Sequence, residues 1–308
     1  FYTYVIINEI NIYKEGMKME ELKKEDIKCI FPKRDENSNK GDFGYVGIMG
    51  GCIEYSGAVK LANLSSCALT SGAGVVRLIV PKEIANGVMP YLLEQTLFTI
   101  ESKDGHMLFK KQKIDKSLEK LKALAIGMGW GESKDNEKIL RYILENKEMP
   151  IVIDADGLNT LAKMDKSILN KTKCKVILTP HPKEFERISG YDFQDILNNP
   201  QELASDFAKK YNVILLLKGH TTTITDGKTT YLVKKGCSGM ATAGSGDVLS
   251  GILVGILGYN EPTVLSVSAG SYLAGLAGEL AEKELNDISM KASDTISKIP
   301  DAINLIRK

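Results

Sequence analysis

Gly236-Cys237-Ser238-Gly239-Met240-Ala241-Thr242-Ala243-Gly244-Ser245-Gly246-Asp247 is the stretch whose reading decides the fold. It runs directly into Val248-Leu249-Ser250-Gly251-Ile252-Leu253-Val254-Gly255-Ile256-Leu257. Small residues fill the first half, so backbone N–H groups can come close to a ligand. The apolar run behind them is long enough for a buried helix. A glycine-rich turn therefore meets a helix N-terminus, where unpaired N–H groups and the helix dipole favour an anion. Asp247 stands at that junction, either as a helix cap or as a base held beside a phosphate. No Gly-Lys-Ser/Thr closes the stretch, so it is not a Walker loop. Its glycine spacing and late position exclude the Rossmann fingerprint.

Upstream, one pattern recurs. Short aliphatic runs at 45–49, 75–80, 123–126, 150–153, 176–178 and 213–217 end in polar or glycine-rich turns, and helical segments follow. That is an α/β chain with a mostly parallel central sheet and helices on both faces, in which ligands bind at the carboxyl ends of the strands. Gly50, Gly127 to Gly131, Asp154, Asp156, His181 and Lys218 fall at those ends. After Lys218 the period changes, and 222–225 and 229–233 flank Asp226-Gly227-Lys228 as a hairpin. Further helices are expected at 20–30, 84–93, 116–122 and 266–285, with a short strand near 96–100. Ser293-Asp294 caps a short turn, and Pro300 opens a last helix. Residues 1–18 read as an extension or linker remnant with a strand at 1–7, ahead of a single catalytic domain over 19–308.

Composition narrows the function. A formal net charge of +1 gives no electrostatic case for nucleic acid or an anionic membrane. Five scattered cysteines without a Cys-x-x-Cys pair imply reduced thiols and a cytoplasmic protein. Three dispersed histidines make no zinc site. No uninterrupted apolar run reaches the roughly 18 residues of a membrane helix.

The candidate site residues each have a plain alternative. Asp154 and Asp156 lie two apart, so they face the same way if strand geometry persists. They then hold magnesium, through water, or do acid/base work; otherwise one caps a helix and one is solvated. His181 is held in a turn between two prolines, as a structural or a binding residue. Lys218 meets a phosphate, or lays its stem along the strand end. Ala58 offers only closeness to a flat ring, and Trp130 either stacks on a ring or packs in the core.

Lys40-Gly41-Asp42-Phe43-Gly44, Tyr55-Ser56-Gly57-Ala58, Asp154-Ala155-Asp156-Gly157, Thr179-Pro180-His181-Pro182-Lys183-Glu184, Leu217-Lys218-Gly219 and the Gly239–Asp247 loop occur in one order. Together they resemble the ADP- or ATP-dependent NAD(P)H-hydrate dehydratases of the ribokinase-like superfamily, over about residues 27–305. The resemblance implies repair of hydrated NADH or NADPH (NADHX, NADPHX; the S epimer), coupled to hydrolysis of ADP or ATP with Mg2+. By position it implies that Ala58, Gly129 or Gly131, His181 and Asp247 contact the hydrated substrate. Lys218, Gly219, His220, Thr221, Thr222 and Gly246 would contact the adenine nucleotide, and the N–H groups of Ala243, Gly244, Ser245 and Gly246 would hold the developing charge. It also implies a homotetramer and a functional link to an epimerase of the hydrate. Asn39, Met128, Trp130 and the Leu273-Ala274-Gly275 sequence depart from the usual family pattern without removing a catalytic group. The alternatives are a vitamin-type alcohol kinase of the same superfamily and a catalytically silent nucleotide-binding protein.

Overall fold

The computed structural model describes residues 18–66 and 70–308. The strand expected at 1–7, and Cys67, lie outside them. The strands are β1 (Lys18–Glu21), β2 (Tyr45–Met49), β3 (Val75–Pro81), β4 (Thr96–Ile100), β5 (Ser102–Lys103), β6 (His106–Met107), β7 (Ala123–Ile126), β8 (Ile151–Ile153), β9 (Val176–Leu178), β10 (Ile214–Leu217), β11 (Thr222–Thr225) and β12 (Thr229–Val233). Ten of them form one sheet in the order β1-β12-β11-β10-β9-β8-β7-β2-β3-β4, while β5 and β6 pair as a separate hairpin. In the large sheet only β11 runs against its neighbours.

The helices are α1 (Lys24–Ile27), α2 (Ser56–Ser66), α3 (Ala85–Val88), α4 (Lys111–Leu118), α5 (Lys134–Asn146), α6 (Asp156–Lys163), α7 (Pro182–Ser189), α8 (Phe193–Asn198), α9 (Pro200–Tyr211), α10 (Ser245–Leu257), α11 (Val264–Leu285) and α12 (Ala292–Arg307). Strand residues alternate between two cores. Ala125, Val152, Ile177 and Leu216 face α2, α10, α11 and α12. Ile126, Ile153, Leu178 and Leu215 face α5, α6, α7 and α9. Strands buried on both faces need aliphatic residues at every position, which is why these runs do not alternate with polar residues. Each fully buried Leu or Ile stabilises the fold by about 1.5–3 kcal/mol.

Three expectations are corrected. Glu20 and Glu21, expected to open the helix at 20–30, instead end the edge strand Lys18–Glu21. β1 pairs with β12, and the Leu22 N–H donates to Leu232 O at 2.9 Å, so sheet pairing overrides helix propensity. The segment 84–93 breaks into 3-10 turns around the short α3. Pro300 does not open the last helix but lies inside α12. Ile296, Ile299, Ala302 and Ile306 are buried along that helix, and this burial offsets the hydrogen bond a proline cannot donate. α11 is long and apolar enough by composition to cross a membrane, but most of it is buried against α10, α12 and β12, as a core helix.

Candidate active site

Parallel neighbours bring their carboxyl ends to one edge. Lys218 after β10, His181 beyond β9, Asp154 after β8, the Gly127–Gly131 turn after β7 and Gly50 after β2 follow the order of the sheet. Gly127 has φ 118°, and a Cβ there would lie 2.1 Å from Asp154 O, so only glycine lets this turn nest against the next strand end.

The anion loop approaches the row from the side. Gly244 is the N-cap of α10 with φ 96°, in the left-handed region, and Asp247 is the third residue of that helix. Asp247 is therefore not the cap. The Val248 N–H donates to Gly244 O at 3.0 Å and the Ser245 N–H to Thr242 O at 3.4 Å. Between them, the Gly246 and Asp247 N–H groups have no hydrogen-bond partner among the described residues. These are the orphan donors that an anion satisfies. Burial pushes the Asp247 carboxyl up to about 7; Asp154 and Asp156 push in the same direction and Lys218 opposes them.

The row is tied together by charge. Lys218 Nζ donates to Asp154 Oδ1 at 2.9 Å and lies 4.0 Å from Glu184 Oε2. Burial works against the Lys218 ammonium, but Asp154 and Glu184 outweigh it and its pKa is raised. Ser250 Oγ donates to Asp154 Oδ2 at 2.7 Å. Burial raises the Glu184 carboxyl. His181 is the N-cap of α7, with Nδ1 accepting from the N–H groups of Lys183 and Glu184.

Asp154 and Asp156 do not face the same way as a strand pair would. Ala155 has φ 48°, which ends strand geometry between them. Asp154 turns beneath α10, whereas Asp156 Oδ2 accepts the Gly131 N–H at 2.8 Å and Oδ1 the Asn159 amide. Among the described residues no group of three or more His, Cys, Asp or Glu is set to hold a metal.

Two clefts meet at this edge. One, of about 480 Å³, is lined by Lys218, Gly219, His220, Thr222, Ser245 and Gly246, with Lys235, Leu249, Ser271, Ala274 and Gly275 opposite. The other, of about 510 Å³, holds Asp154, His181, Glu184, Lys218, Gly244, Gly246 and Asp247. They share Lys218, Met240 and Gly246. Thr221 and Ala243, named from the sequence, line neither. Ala58 and Gly129 touch each other, and Gly131 is held by Asp156, in the next turn along the row rather than in the Asp247 cleft. Trp130 is fully buried among Ile126, Ile139 and Leu158, so it packs in the core and offers no stacking face. Glu184 and Ser250 carried no role in the sequence reading. Ser250 had a signal, as a polar residue inside an apolar helix three positions after Asp247.

A parallel sheet with helices on both faces, a glycine-rich helix N-terminus at the strand ends and an aspartate in its first turn define an α/β protein of ribokinase-like fold. The chain belongs to the NAD(P)H-hydrate dehydratase family, whose profile matches residues 46–301. It is 32% identical over 278 residues to the ADP-dependent (S)-NAD(P)H-hydrate dehydratase of Nitrosopumilus maritimus, covering 89% of this chain and 93% of that one. It is 34% identical over 276 residues to the bifunctional NAD(P)H-hydrate repair enzyme of Moorella thermoacetica, covering 87% of this chain and 51% of that protein. The chain thus spans about half the length of its bifunctional relatives. The ADP/ATP-dependent NAD(P)H-hydrate dehydratase of Bacillus subtilis, crystallised with ATP and Mg2+, superposes with a TM-score of 0.79 at 26% identity, over 92% of this chain and 97% of that one.

Proposed function

We propose that the protein returns the S epimer of hydrated NADH or NADPH to the reduced cofactor, using ADP or ATP as phosphoryl donor. The observation that carries this reading is the place of Asp247: in the first turn of α10, beside unpaired N–H groups, where two clefts meet. The nucleotide occupies the cleft of Lys218, Gly219, His220 and Thr222, and the hydrated ring occupies the cleft of His181 and Asp247. Asp247 takes the proton of the ring hydroxyl as that oxygen attacks the terminal phosphoryl group. The bond from phosphorus to the nucleotide's bridging oxygen breaks, and AMP leaves from ADP, or ADP from ATP. The helix N-terminus and Lys218 hold the charge on the transferred group. The ring nitrogen then expels phosphate, the neighbouring ring carbon loses a proton, and the ring double bond is restored. The oxygen of the lost water leaves in the phosphate.

Among the described residues there is no ready metal cage, and Asp154 and Asp156 are committed to Lys218, Ser250 and Gly131. Mg2+ would enter this site with the nucleotide phosphates and would supply charge neutralisation there, with Asp154 and Asp156 near enough to act on it only through water. A homotetramer, an epimerase acting on the same hydrate and a cytoplasmic location complete the reading. The four described cysteines are unpaired, which suits a reducing compartment.

The test is recovery of reduced-nicotinamide absorbance from hydrated NADH with ADP, ATP or no nucleotide, in the presence of Mg2+. Nucleotide-dependent recovery is expected. Folded protein that gives none with either nucleotide overturns the reading and turns attention to alcohol phosphorylation.

A further inference from the structure

Asp154 is 1% exposed, yet each of its oxygens has a hydrogen-bond donor: the Lys218 ammonium on Oδ1 and the Ser250 hydroxyl on Oδ2. Ser250 is itself fully buried, and it lies three residues after Asp247 on α10. Residues three apart share a helix face. The helix that presents Asp247 therefore also presents the hydroxyl that fixes Asp154. The Asp154 backbone is fixed as well, since its N–H donates to Ile126 O at 3.2 Å and its carbonyl accepts the Gly157 N–H at 2.9 Å.

Lysine is a flexible stem ending in a point charge with three donors. Left alone, Lys218 has two other carboxylates in the same cleft to choose, Glu184, whose Oε2 lies 4.0 Å from Nζ, and Asp247. An ammonium paired with Asp247 would neutralise the base. Held by Asp154, Nζ instead stands beside Gly246, 3.5 Å from where a Cβ on that residue would be. That point is the seam the two clefts share.

We propose that Asp154, locked by Ser250, is a positioning residue that aims the Lys218 ammonium at the phosphoryl group crossing between the clefts and keeps it off Asp247. The proposal rests on the dehydratase reading above. It assigns Asp154 an effect that passes through Lys218, and so a specific pattern in kinetics. A carboxylate that only stabilised the fold would act independently of Lys218.

The test is a double-mutant cycle on full-length protein with hydrated NADH and the preferred nucleotide. Asp154→Asn is expected to lower kcat about 100-fold, with both KM values within about threefold. Ser250→Ala, which removes a single oxygen, is expected to lower kcat about tenfold in the same way. In a Lys218→Met background neither change is expected to lower kcat by more than about a further twofold. Losses that multiply in the double variants, or that appear only in KM or in the unfolding temperature, overturn the proposal. If Asp154→Asn does not fold, the Ser250→Ala arm decides alone. If wild-type protein regenerates no NADH with either nucleotide, the dehydratase reading has failed. The same cycle is then read on ADP affinity by calorimetry, where non-additive weakening supports the positioning role and additive weakening refutes it.

Discussion

His181 and Glu184 cap each other: the His181 N–H donates to Glu184 Oε2 at 2.9 Å, and the Glu184 N–H donates to His181 Nδ1 at 3.3 Å. This reciprocal cap settles the ring. Nδ1 is an acceptor, so the neutral imidazole carries its hydrogen on Nε2, which lies 3.5 Å from Glu184 Oε2. Burial and the Lys218 ammonium both lower the pKa of the ring, which favours this neutral form.

His181 can therefore be split into two roles by substitution. Asparagine is a good N-cap and alanine is not, so His181→Ala is expected to cost about 1 kcal/mol of stability and His181→Asn only a few tenths. Both lose the Nε2 donor, and both are expected to raise the KM for hydrated NADH by about tenfold. Thermal unfolding and steady-state kinetics check the two halves separately. The stability contribution of the cap is present above the ordinary histidine pKa, and it is lost as pH falls through the lowered folded value, because a protonated Nδ1 can no longer accept.

Asp247→Asn is expected to lower turnover about 10³-fold, since the general base is gone. The same change is expected to stabilise the ligand-free protein at pH 8. The folded carboxyl titrates at about 7 against an ordinary 3.8, so stability is highest below 3.8 and is lost as pH rises through 7. A shift of that size is worth about 4 kcal/mol at full effect, and solvent at this half-buried group reduces it to on the order of 2 kcal/mol. The gain from asparagine is expected to vanish near pH 4, where both side chains are neutral. Denaturant unfolding at the two pH values measures it.

The rate carries the same signature. kcat/KM for hydrated NADH is expected to fall about tenfold per pH unit below about 7, as the base becomes protonated. Asp154→Asn is expected to move this bend to lower pH, because it removes a negative charge that raises Asp247 and releases Lys218 towards it. A pH–rate profile of the two proteins shows the displacement or its absence.

Gly244→Ala forces a side chain into the left-handed region at φ 96° and within 2.4 Å of Leu61 Cδ1. A cost of about 1–2 kcal/mol is expected from the backbone alone. Misplaced N–H groups are expected to weaken ADP binding about tenfold, by calorimetry. Gly87→Ala, at an exposed position of α3, has nothing within 4 Å and an ordinary φ. It is expected to stabilise the protein by about 0.5–1 kcal/mol with ADP binding unchanged.

Trp130 is the single tryptophan and is fully buried. Its emission is expected to be blue-shifted, with a maximum that does not move when ADP is added. A shift on binding would put the indole at the nucleotide after all.

The parallel architecture was legible because its cause is local. Strands buried on both faces leave unbroken aliphatic runs, and each is followed by a turn and a helix. Such repeats bring the strand ends to one edge, so His181, Asp154 and Lys218 were expected there, and they stand there. The anion loop was legible for a similar reason, since a dense small-residue turn before an apolar run has few other uses. Thr221 comes from the family resemblance and Ala243 is named for its backbone N–H, and neither lines the two clefts.

The sequence by itself therefore determined the α/β class, the edge on which the site lies and the helix N-terminus at its centre, because periodicity and turn chemistry act over a few residues. Tertiary structure decided the rest, because it turns on which elements become neighbours. Lys218 meets Asp154 across 64 positions of chain, and Ser250 meets it across 96. Sheet pairing with β12 made a strand of Lys18–Glu21, and core burial carried α12 through Pro300. A left-handed Ala155 sent Asp154 and Asp156 to different partners. Long-range contacts outweigh local preference at these positions because each local preference is worth about 1–3 kcal/mol, no more than one well-buried side chain.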